Sequence, residues 1–474
     1  MEATLPISAA VKSALLRAKT IVAAAPSIAL PLRFVVTGLL ALLVGIGWLI
    51  AQPNLLTTYH YNQNIIALTH LFVLGFICSA VMGAMYQLVP VALETKLYSE
   101  RLARWQFVFH LVGFIGMVWM FRVWNMKQVG HFGSVMVVGV GLFVFNIAHT
   151  LLRVPKWNVV ATAITSALVW FSFTVIAGLS IAAAKCSYES TEGLATAGGV
   201  RSVVSGLRAV GTFMAHFDSI SAMHAHAHLG VVGFFAMLIV GVSYKLVPMF
   251  TLSEIQNHRR AILSVALLNT GLLGAVVSIL LRSPWKFVFA LVIVAALAVY
   301  GCELTAIVRA RKRSTIDWGV KSFLTAVTML APLSLLAAVL SWPRLPLNVF
   351  TGQLENLYGF LGLIGFVTFA IVGMLHKIIP FLVWFHSYSP YIGRAQVPSL
   401  AEMYSERLQI GSYWTWLAGL TATSVGIVFQ NGIIVRIGAI SLAASLAVFV
   451  VNVGKVLSHV YRPELKPFPA LVKK

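Results

Sequence analysis

The chain has 474 residues, of which 59% are hydrophobic and only 10% are charged, and its mean hydropathy is +0.90. These proportions exclude a soluble globular domain and indicate a polytopic membrane protein. The formal net charge of +21 does not indicate nucleic-acid binding, because the Lys and Arg residues cluster in short loops between apolar runs, where they set membrane topology. The three cysteines are widely separated and indicate neither a disulfide framework nor a metal-binding CxxC pair.

Twelve apolar runs along the chain are long enough to span a bilayer, whose core of about 30 Å needs roughly 20 residues of helix. We expect all of them to be helices, because lipid offers the backbone no other hydrogen-bond partners. They form a single membrane domain over 33–460, between a basic lead at 1–32 and a basic tail at 461–474. The predicted spans are 33–52, 65–91, 105–122, 131–151, 158–183, 217–248, 261–281, 286–308, 319–341, 356–384, 409–429 and 432–456.

The distribution of basic residues predicts the orientation of the chain. Most Lys and Arg residues, including the cluster at 309–313 and the basic tail, fall on one side when the N-terminus is placed in the cytoplasm. We therefore predict cytoplasmic termini and a bacterial-type inner membrane, and we interpret the first residues as a cytoplasmic lead rather than a cleaved signal. On this orientation His70 and the histidines that begin the sixth span lie toward the external face.

An internal repeat appears in the second, sixth and tenth spans. The stretch HLFVLGFICSAVMGAMYQLVP at 70–90 matches HLGVVGFFAMLIVGVSYKLVP at 228–248 in its His, Gly-Phe, later Gly, Tyr and Leu-Val-Pro positions. A third copy, FLGLIGFVTFAIVGMLHKIIP at 360–380, keeps the glycines and the proline, but Phe360 replaces the histidine and His376 replaces the tyrosine. Related helices at every fourth span predict three four-helix arcs around a pseudo-threefold axis, with the repeat helices inside.

The sixth span begins with His224, His226 and His228, which occur at alternate positions. Residues two apart on a helix point about 200° from each other, so His226 should face one side while His224 and His228 face the other. Neutral imidazole is a standard axial ligand of haem iron. His70 and His228 occupy equivalent repeat positions at one depth, as the opposed ligands of a low-spin haem would, although a hydrogen bond to a neighbouring carbonyl would also account for a single histidine.

Other polar residues carry weaker signals. His376 lies about 24 Å along the helix from the ligand position, so it cannot share a haem plane with His70. Together with Lys377 and Lys245 it could form a cytoplasmic proton entry. Alternatively, the two lysines simply snorkel to the interface. Tyr86 and Tyr244 are typical of an aromatic belt. His216 is a candidate contact for a haem propionate or a metal. The residues expected to be solvated near span ends are His60, His110, His131 and His149.

The motif H-x-H-L-G-x-x-G followed by G-x-x-Y-x-L-V-P, at 226–248, resembles helix ten of the haem-copper oxidase catalytic subunits, particularly the cbb-type oxidases and nitric oxide reductases. This resemblance implies haem b, with His226 on a high-spin haem and with His228 and His70 on a low-spin haem. It also implies twelve helices in three arcs and a cytochrome c or cytochrome c-like partner. In that family the motif lies in the tenth helix, and histidines of the sixth and seventh helices bind copper. Here the motif lies in the sixth span, and the seventh span has no histidine. His224 is therefore the candidate copper ligand.

The chain also resembles the NnrS family of twelve-helix haem and copper membrane proteins linked to nitric oxide stress. The sequence therefore predicts a haem-binding membrane protein that passes electrons to O2 or NO. The alternatives are a non-catalytic haem or copper protein of the NnrS type and a transporter whose histidines line a metal or substrate path. No catalytic carboxylate is predicted.

Overall fold

The computed structural model describes residues 27–189 and 209–466. Within these ranges the fold is all-helical apart from one isolated β-bridge, which confirms the predicted fold class. In the described ranges, eleven helices are long and apolar enough to cross a membrane. A twelfth, Glu406–Val428, is more polar and packs along the helix Gly432–Tyr461. The helices are α1 Ala29–Ala51, α2 Gln63–Ala92, α3 Glu100–Arg122, α4 Met126–Leu151, α5 Val159–Glu189, α6 Ser219–Thr251, α7 His258–Leu280, α8 Lys286–Arg309, α9 Trp318–Leu340, α10 Val349–Tyr391, α11 Glu406–Val428 and α12 Gly432–Tyr461.

Short polar side chains set the ends of these helices. Asn62 caps α2 and Asp218 caps α6, because each side chain accepts a hydrogen bond from a backbone N–H in the first turn. Such a cap is worth about 1 kcal/mol. At α10 the reciprocal capping box between Asn348 and Thr351 starts the helix at Val349, earlier than the predicted 356. The apolar pattern alone misses these roughly two extra turns, because polar residues interrupt them.

The same polar contact recurs in all three arcs. Asn146 on α4 accepts a hydrogen bond from the backbone N–H of Ser99, just before α3, at 3.0 Å. Asn452 on α12 does the same for Ser405, just before α11, at 2.8 Å. In the middle arc Glu303 on α8 takes this place and accepts from the N–H groups before α7 at 2.7 and 2.8 Å. The fourth helix of each arc therefore holds the start of the third, as the predicted pseudo-threefold repeat requires.

The repeat glycines let the inner helices approach the first helix of each arc. A Cβ at Gly83 would lie 2.7 Å from the Phe34 Cβ on α1, and one at Gly373 would lie 2.8 Å from the Phe323 backbone nitrogen on α9. A Cβ at Gly241 would overlap Ala163 on α5. The three arcs are thus α1–α4, α5–α8 and α9–α12, with α2, α6 and α10 inside. Contacts between α12 and α1 close the ring.

Each inner helix contains a π-helical segment that begins one residue after the repeat's histidine position. The segments are Leu71–Cys78, Leu229–Ala236 and Leu361–Thr368. The third segment contacts the other two at the centre of the bundle. A π turn changes the rotational phase of the helix and is frequent at functional sites, so it affects which way the preceding histidines point.

The repeat tyrosines do not form an aromatic belt, contrary to the sequence expectation. Tyr86 and Tyr244 are fully buried inside their arcs. The Tyr86 hydroxyl donates to the Gln106 side chain at 3.1 Å, and the Tyr244 hydroxyl lies 2.7 Å from the Ser264 hydroxyl. In a hydrocarbon environment such partners are needed to offset the cost of a buried polar group, so the tyrosines tie α2 to α3 and α6 to α7.

Candidate functional site

A cavity of about 790 Å³ occupies the end of the bundle where the sixth span begins. Its volume is within the range of roughly 300–1,000 Å³ typical of cofactor sites. All helices from α1 to α10 contribute to its lining, which includes His70 on α2, His226 on α6 and Tyr358 on α10. Most of the lining is apolar, so the few polar groups are conspicuous.

His70 ends the α-helical part of α2, immediately before the π segment. Its Nδ1 donates to the Ile66 carbonyl at 2.8 Å, and its ring packs on Phe121 with 4.4 Å between centroids. The Nδ1–H bond fixes the neutral tautomer in which Nε2 carries the lone pair. His70 therefore presents a metal-binding nitrogen from a fixed ring.

His226 is held in the same way, but by a different helix. Its Nδ1 donates to the Thr174 carbonyl on α5 at 3.0 Å. Gly178, one turn further along α5, makes room for the ring, because a Cβ there would lie 2.8 Å from the imidazole Cε1. Hydrogen bonding of the second ring nitrogen to a carbonyl is the usual way in which a metal-ligating histidine is oriented.

The rings of His70 and His226 face each other across the cavity. Their centroids are 6.5 Å apart and their planes are 16° from parallel. Two imidazoles bound on opposite sides of one metal at about 2.0 Å place their centroids roughly 6 Å apart. The sequence paired His70 with His228; in the structure the histidine ring opposite His70 is that of His226, whose Nδ1 bonds to α5.

His228 faces the other part of the cavity, as its spacing predicts. Its Nδ1 donates to the His224 carbonyl at 2.8 Å, and its ring lies 6.0 Å from that of Tyr358 on α10. His228 therefore also presents Nε2, and the ring beside it is that of Tyr358.

His224 lies one turn nearer the end of the bundle. Its Nε2 is 3.2 Å from the Nε2 of His60, which belongs to the segment between α1 and α2. The Nδ1 of His60 is in turn 3.5 Å from a Glu355 carboxylate oxygen. Burial lowers the pKa of His60, which corrects the expectation that it is simply solvated at a span end. In the part of the chain that the structure covers, no group of three or more His, Cys, Asp or Glu residues is arranged to hold a metal ion.

Two comparisons with known proteins found a match. The family model for cytochrome c and quinol oxidase polypeptide I matches residues 18–129, which include His70. A haem-copper terminal oxidase dimer, solved by electron cryo-microscopy, superposes with a TM-score of 0.60 over 95% of this chain and 85% of that chain, at 10% sequence identity. No curated protein matches the chain significantly.

The chain has the fold of a haem-copper terminal oxidase. The family match and the fold confirm the resemblance to the haem-copper oxidase subunit I superfamily, and the helix content supports an integral membrane protein. Neither finding tests the resemblance to the NnrS family.

Cationic side chains also line the cavity, and the sequence reasoning missed them. Lys185, Arg282 and Lys286 come from the ends of α5, α7 and α8. The Lys185 ammonium also lies over the Tyr61 ring, 5.4 Å from its centroid. Three cations at one rim favour an anionic group on a bound ligand. Arg282 and Lys286 are four residues apart, but Lys185 is far from both in the sequence, so only the fold brings the three together.

The titratable residues of the third repeat copy lie outside this site. His376 is buried near the other end of α10, where its ring packs on Phe449 and its Nδ1 lies 3.4 Å from the Gln409 amide nitrogen. Lys377 forms an ion pair with Asp317 at 2.8 Å, so it does not merely snorkel to the interface. Lys245 is partly buried on α6 and lies on that half of the bundle as well.

The remaining histidines divide between surface and core. His131 and His216 are exposed. His216 bonds only to carbonyls of its own turn at 2.9 and 3.2 Å, and it is not among the residues that line the cavity. His110 was expected at an interface, but it is fully buried in the middle of α3 and lies 2.9 Å from the Ser79 hydroxyl. These three histidines differ in this respect from His60, His70, His224, His226 and His228, which all line the cavity.

Proposed function

We propose that this chain binds haem b in the cavity and transfers electrons within the membrane, as a relative of oxidase and nitric oxide reductase catalytic subunits. The observation that carries the proposal is the opposed pair of neutral imidazoles, His70 and His226, with 6.5 Å between ring centroids. Two histidines from opposed helices suit a low-spin haem, whose role is electron transfer.

The donor set and the cavity lining suit this cofactor. Both rings have their Nδ1 protons committed to backbone carbonyls, which leaves Nε2 of each as the only free ligand atom. The apolar lining suits a porphyrin face, and the rim cations Lys185, Arg282 and Lys286 suit its propionates. When bound, the haem supplies a one-electron redox centre; the protein fixes its ligands and excludes water.

A second haem would be held by His228 alone. The Nδ1 bond to the His224 carbonyl fixes the ring, and the aromatic ring on the facing side is Tyr358 rather than a histidine. A haem with one histidine ligand keeps a position open for a small molecule such as O2 or NO. This assignment moves the sequence-based second-haem ligand from His226 to His228.

The second candidate function is that of a non-catalytic haem or copper protein of the NnrS type. It is favoured by the donor set: within the described ranges, His224 has one histidine beside it rather than the three of an oxidase copper centre. A haem site without that centre could bind nitric oxide without reducing it. A metal or substrate transporter would instead leave the purified chain without haem.

The membrane context follows from the distribution of charge. We propose an inner-membrane location with cytoplasmic termini, which places the cavity at the external side, where a cytochrome c or cytochrome c-like subunit could deliver electrons. The proton route through His376, Lys377 and Lys245 remains a weaker proposal, because Lys377 already has the Asp317 carboxylate as a partner.

The deciding experiment is a haem and metal assay on the purified full chain. We expect one or two haems b per chain and a reduced low-spin α band. Added carbon monoxide or NO should shift only the spectrum of the second haem. Reduction of O2 or NO would support the catalytic role, and NO binding without turnover would support the second candidate. A chain purified under the same conditions without haem would contradict both.

A further inference from the structure

One polar cluster at the cavity mouth takes a residue from each of the three arcs. His60 precedes α2 in the first arc, His224 lies on α6 in the second, and Glu355 lies on α10 in the third. The His60 side chain is 16% exposed and the Glu355 side chain 31% exposed, so the cluster is partly buried yet open to solvent. The low-spin haem pair does not use any of these groups.

We propose that His60 and His224 bind one divalent transition-metal ion through their Nε2 atoms. The two nitrogens are 3.2 Å apart. Two ligand nitrogens at about 2.0–2.1 Å from a tetrahedral metal lie roughly 3.3 Å apart, so the pair already has the bite of one ion. In this contact the two Nε2 atoms share one proton at most, and a metal ion would take the place of that proton.

Glu355 occupies the place of an orienting carboxylate. The Nδ1 of His60 is buried and has no hydrogen-bond partner within normal distance among the described residues, and the Glu355 oxygen at 3.5 Å is its nearest acidic neighbour. When Nε2 of a histidine binds metal, Nδ1 carries the proton and typically donates to a carboxylate. Metal binding would therefore give this nitrogen the partner that it lacks.

The ligand set defines the class of ion. Two imidazoles favour Cu²⁺ or Zn²⁺ over Mg²⁺ or Ca²⁺, which prefer oxygen ligands. Because the structure shows no three-residue group in the described ranges, water or an external ligand would complete the coordination. The nearby Glu355 carboxylate partly offsets the charge of Lys286, which lines the same cavity. This inference does not depend on haem, and it names His60 as a metal ligand that the sequence did not identify.

The test uses the haem-loaded, detergent-purified full chain after treatment with a chelator. Titration with Cu²⁺, followed by electron paramagnetic resonance, should show one Cu²⁺ site per chain with hyperfine coupling from two imidazoles, and Zn²⁺ should displace it. His60→Gln and His224→Gln should each remove the two-nitrogen signal. Glu355→Gln should weaken binding by about 10- to 100-fold, as for other orienting partners. His131→Gln, at an exposed histidine, is the matched control and should bind normally.

The low-spin haem spectrum reports folding independently of metal. If His60→Gln folds poorly, the result for His224→Gln decides. Absence of a stoichiometric Cu²⁺ site in the native chain would overturn the proposal, as would an unchanged two-nitrogen signal in the folded ligand variants. A chain that lacks haem but still shows the Cu²⁺ site would contradict the proposed function and leave this inference standing.

Discussion

The imidazole rings of His70 and His226 lie nearly parallel on opposed helices, with 6.5 Å between their centroids. Each is fixed by a hydrogen bond from Nδ1 to a carbonyl, that of Ile66 within α2 and that of Thr174 on α5. Because both rings are already held by these bonds, little conformational entropy is lost when they bind a metal. The pair is therefore preorganised for two-sided ligation.

Removing either member of this pair should abolish the low-spin haem. We expect His70→Ala and His226→Ala each to lose the low-spin spectrum while the protein stays in the membrane, because one imidazole cannot supply both axial ligands. His228→Ala should keep that spectrum. Absorption and paramagnetic resonance spectra of the purified variants measure the outcome, with His131→Ala as the control.

The reverse pattern would restore the pairing expected from the sequence. Loss of the low-spin signal in His228→Ala, together with its retention in His226→Ala, would show that His228 is the partner of His70. Retention in all three variants would exclude this cavity as the site of a low-spin haem.

Gly178 provides a test that leaves both ligands in place. A Cβ at this position would lie 2.8 Å from the Cε1 of His226. Gly178→Ala should therefore push the ring from its position, at a cost of about 1–3 kcal/mol for overpacking. We expect a shifted low-spin spectrum and faster loss of haem on dilution in detergent.

The matched control is Gly141→Ala on α4, where an added Cβ would meet nothing within 4 Å. It should leave the spectrum and haem retention unchanged. Identical spectra for the two variants would show that the position of the His226 ring does not set the haem environment.

Much of the architecture could be predicted from the sequence. The hydrophobic runs located the helices, and the repeat at 70–90, 228–248 and 360–380 predicted the three arcs, because recurring residues at fixed spacing imply equivalent positions. The helical phase correctly separated His226 from His228. It could not show which of them faces α2, since that depends on the order of the arcs and on the π turns that follow both residues.

The residues that the sequence missed are brought together only by tertiary structure. His60 and Glu355 come from different arcs, so no local spacing connects them. Glu303 had a usable signal: it lies 47 residues after Gln256, as Asn146 does after Ser99. Because the polar residue is Asn in two of the arcs and Glu in the third, the equivalence is easily overlooked in the sequence.

Of the three contacts between the fourth and third helices of the arcs, that of Glu303 should contribute most to the free energy of unfolding. Its carboxylate is fully buried, accepts from two backbone N–H groups and forms an ion pair with Arg260 at 3.0 Å. Glu303→Ala should lower the free energy of unfolding by about 3–5 kcal/mol, because the partners lose their acceptor and countercharge. Asn146→Ala and Asn452→Ala remove neutral contacts and should cost about 1–3 kcal/mol each.

Thermal unfolding in one detergent measures this order. Glu303→Gln should recover part of the loss, since an amide oxygen still accepts a backbone hydrogen bond. Equal effects of the alanine variants at Glu303 and Asn146 would mean that the ion pair adds nothing to the contact.

The Lys377–Asp317 pair separates a structural role from a proton route. Asp317 caps α9 through the Val320 N–H at 3.1 Å and also accepts from the Lys377 ammonium at 2.8 Å. Lys377→Met should destabilise the fold by roughly 1–3 kcal/mol, between the values for exposed and buried pairs. It should leave both haem spectra unchanged, because the pair lies on the half of the bundle away from the cavity.

Asp317→Asn keeps the cap but loses the charge, so its stability should resemble that of Lys377→Met. The control is Lys245→Met, at the equivalent repeat position. Turnover that falls far more in Lys377→Met than in Asp317→Asn, at equal stability, would contradict a purely structural role and favour proton transfer through Lys377.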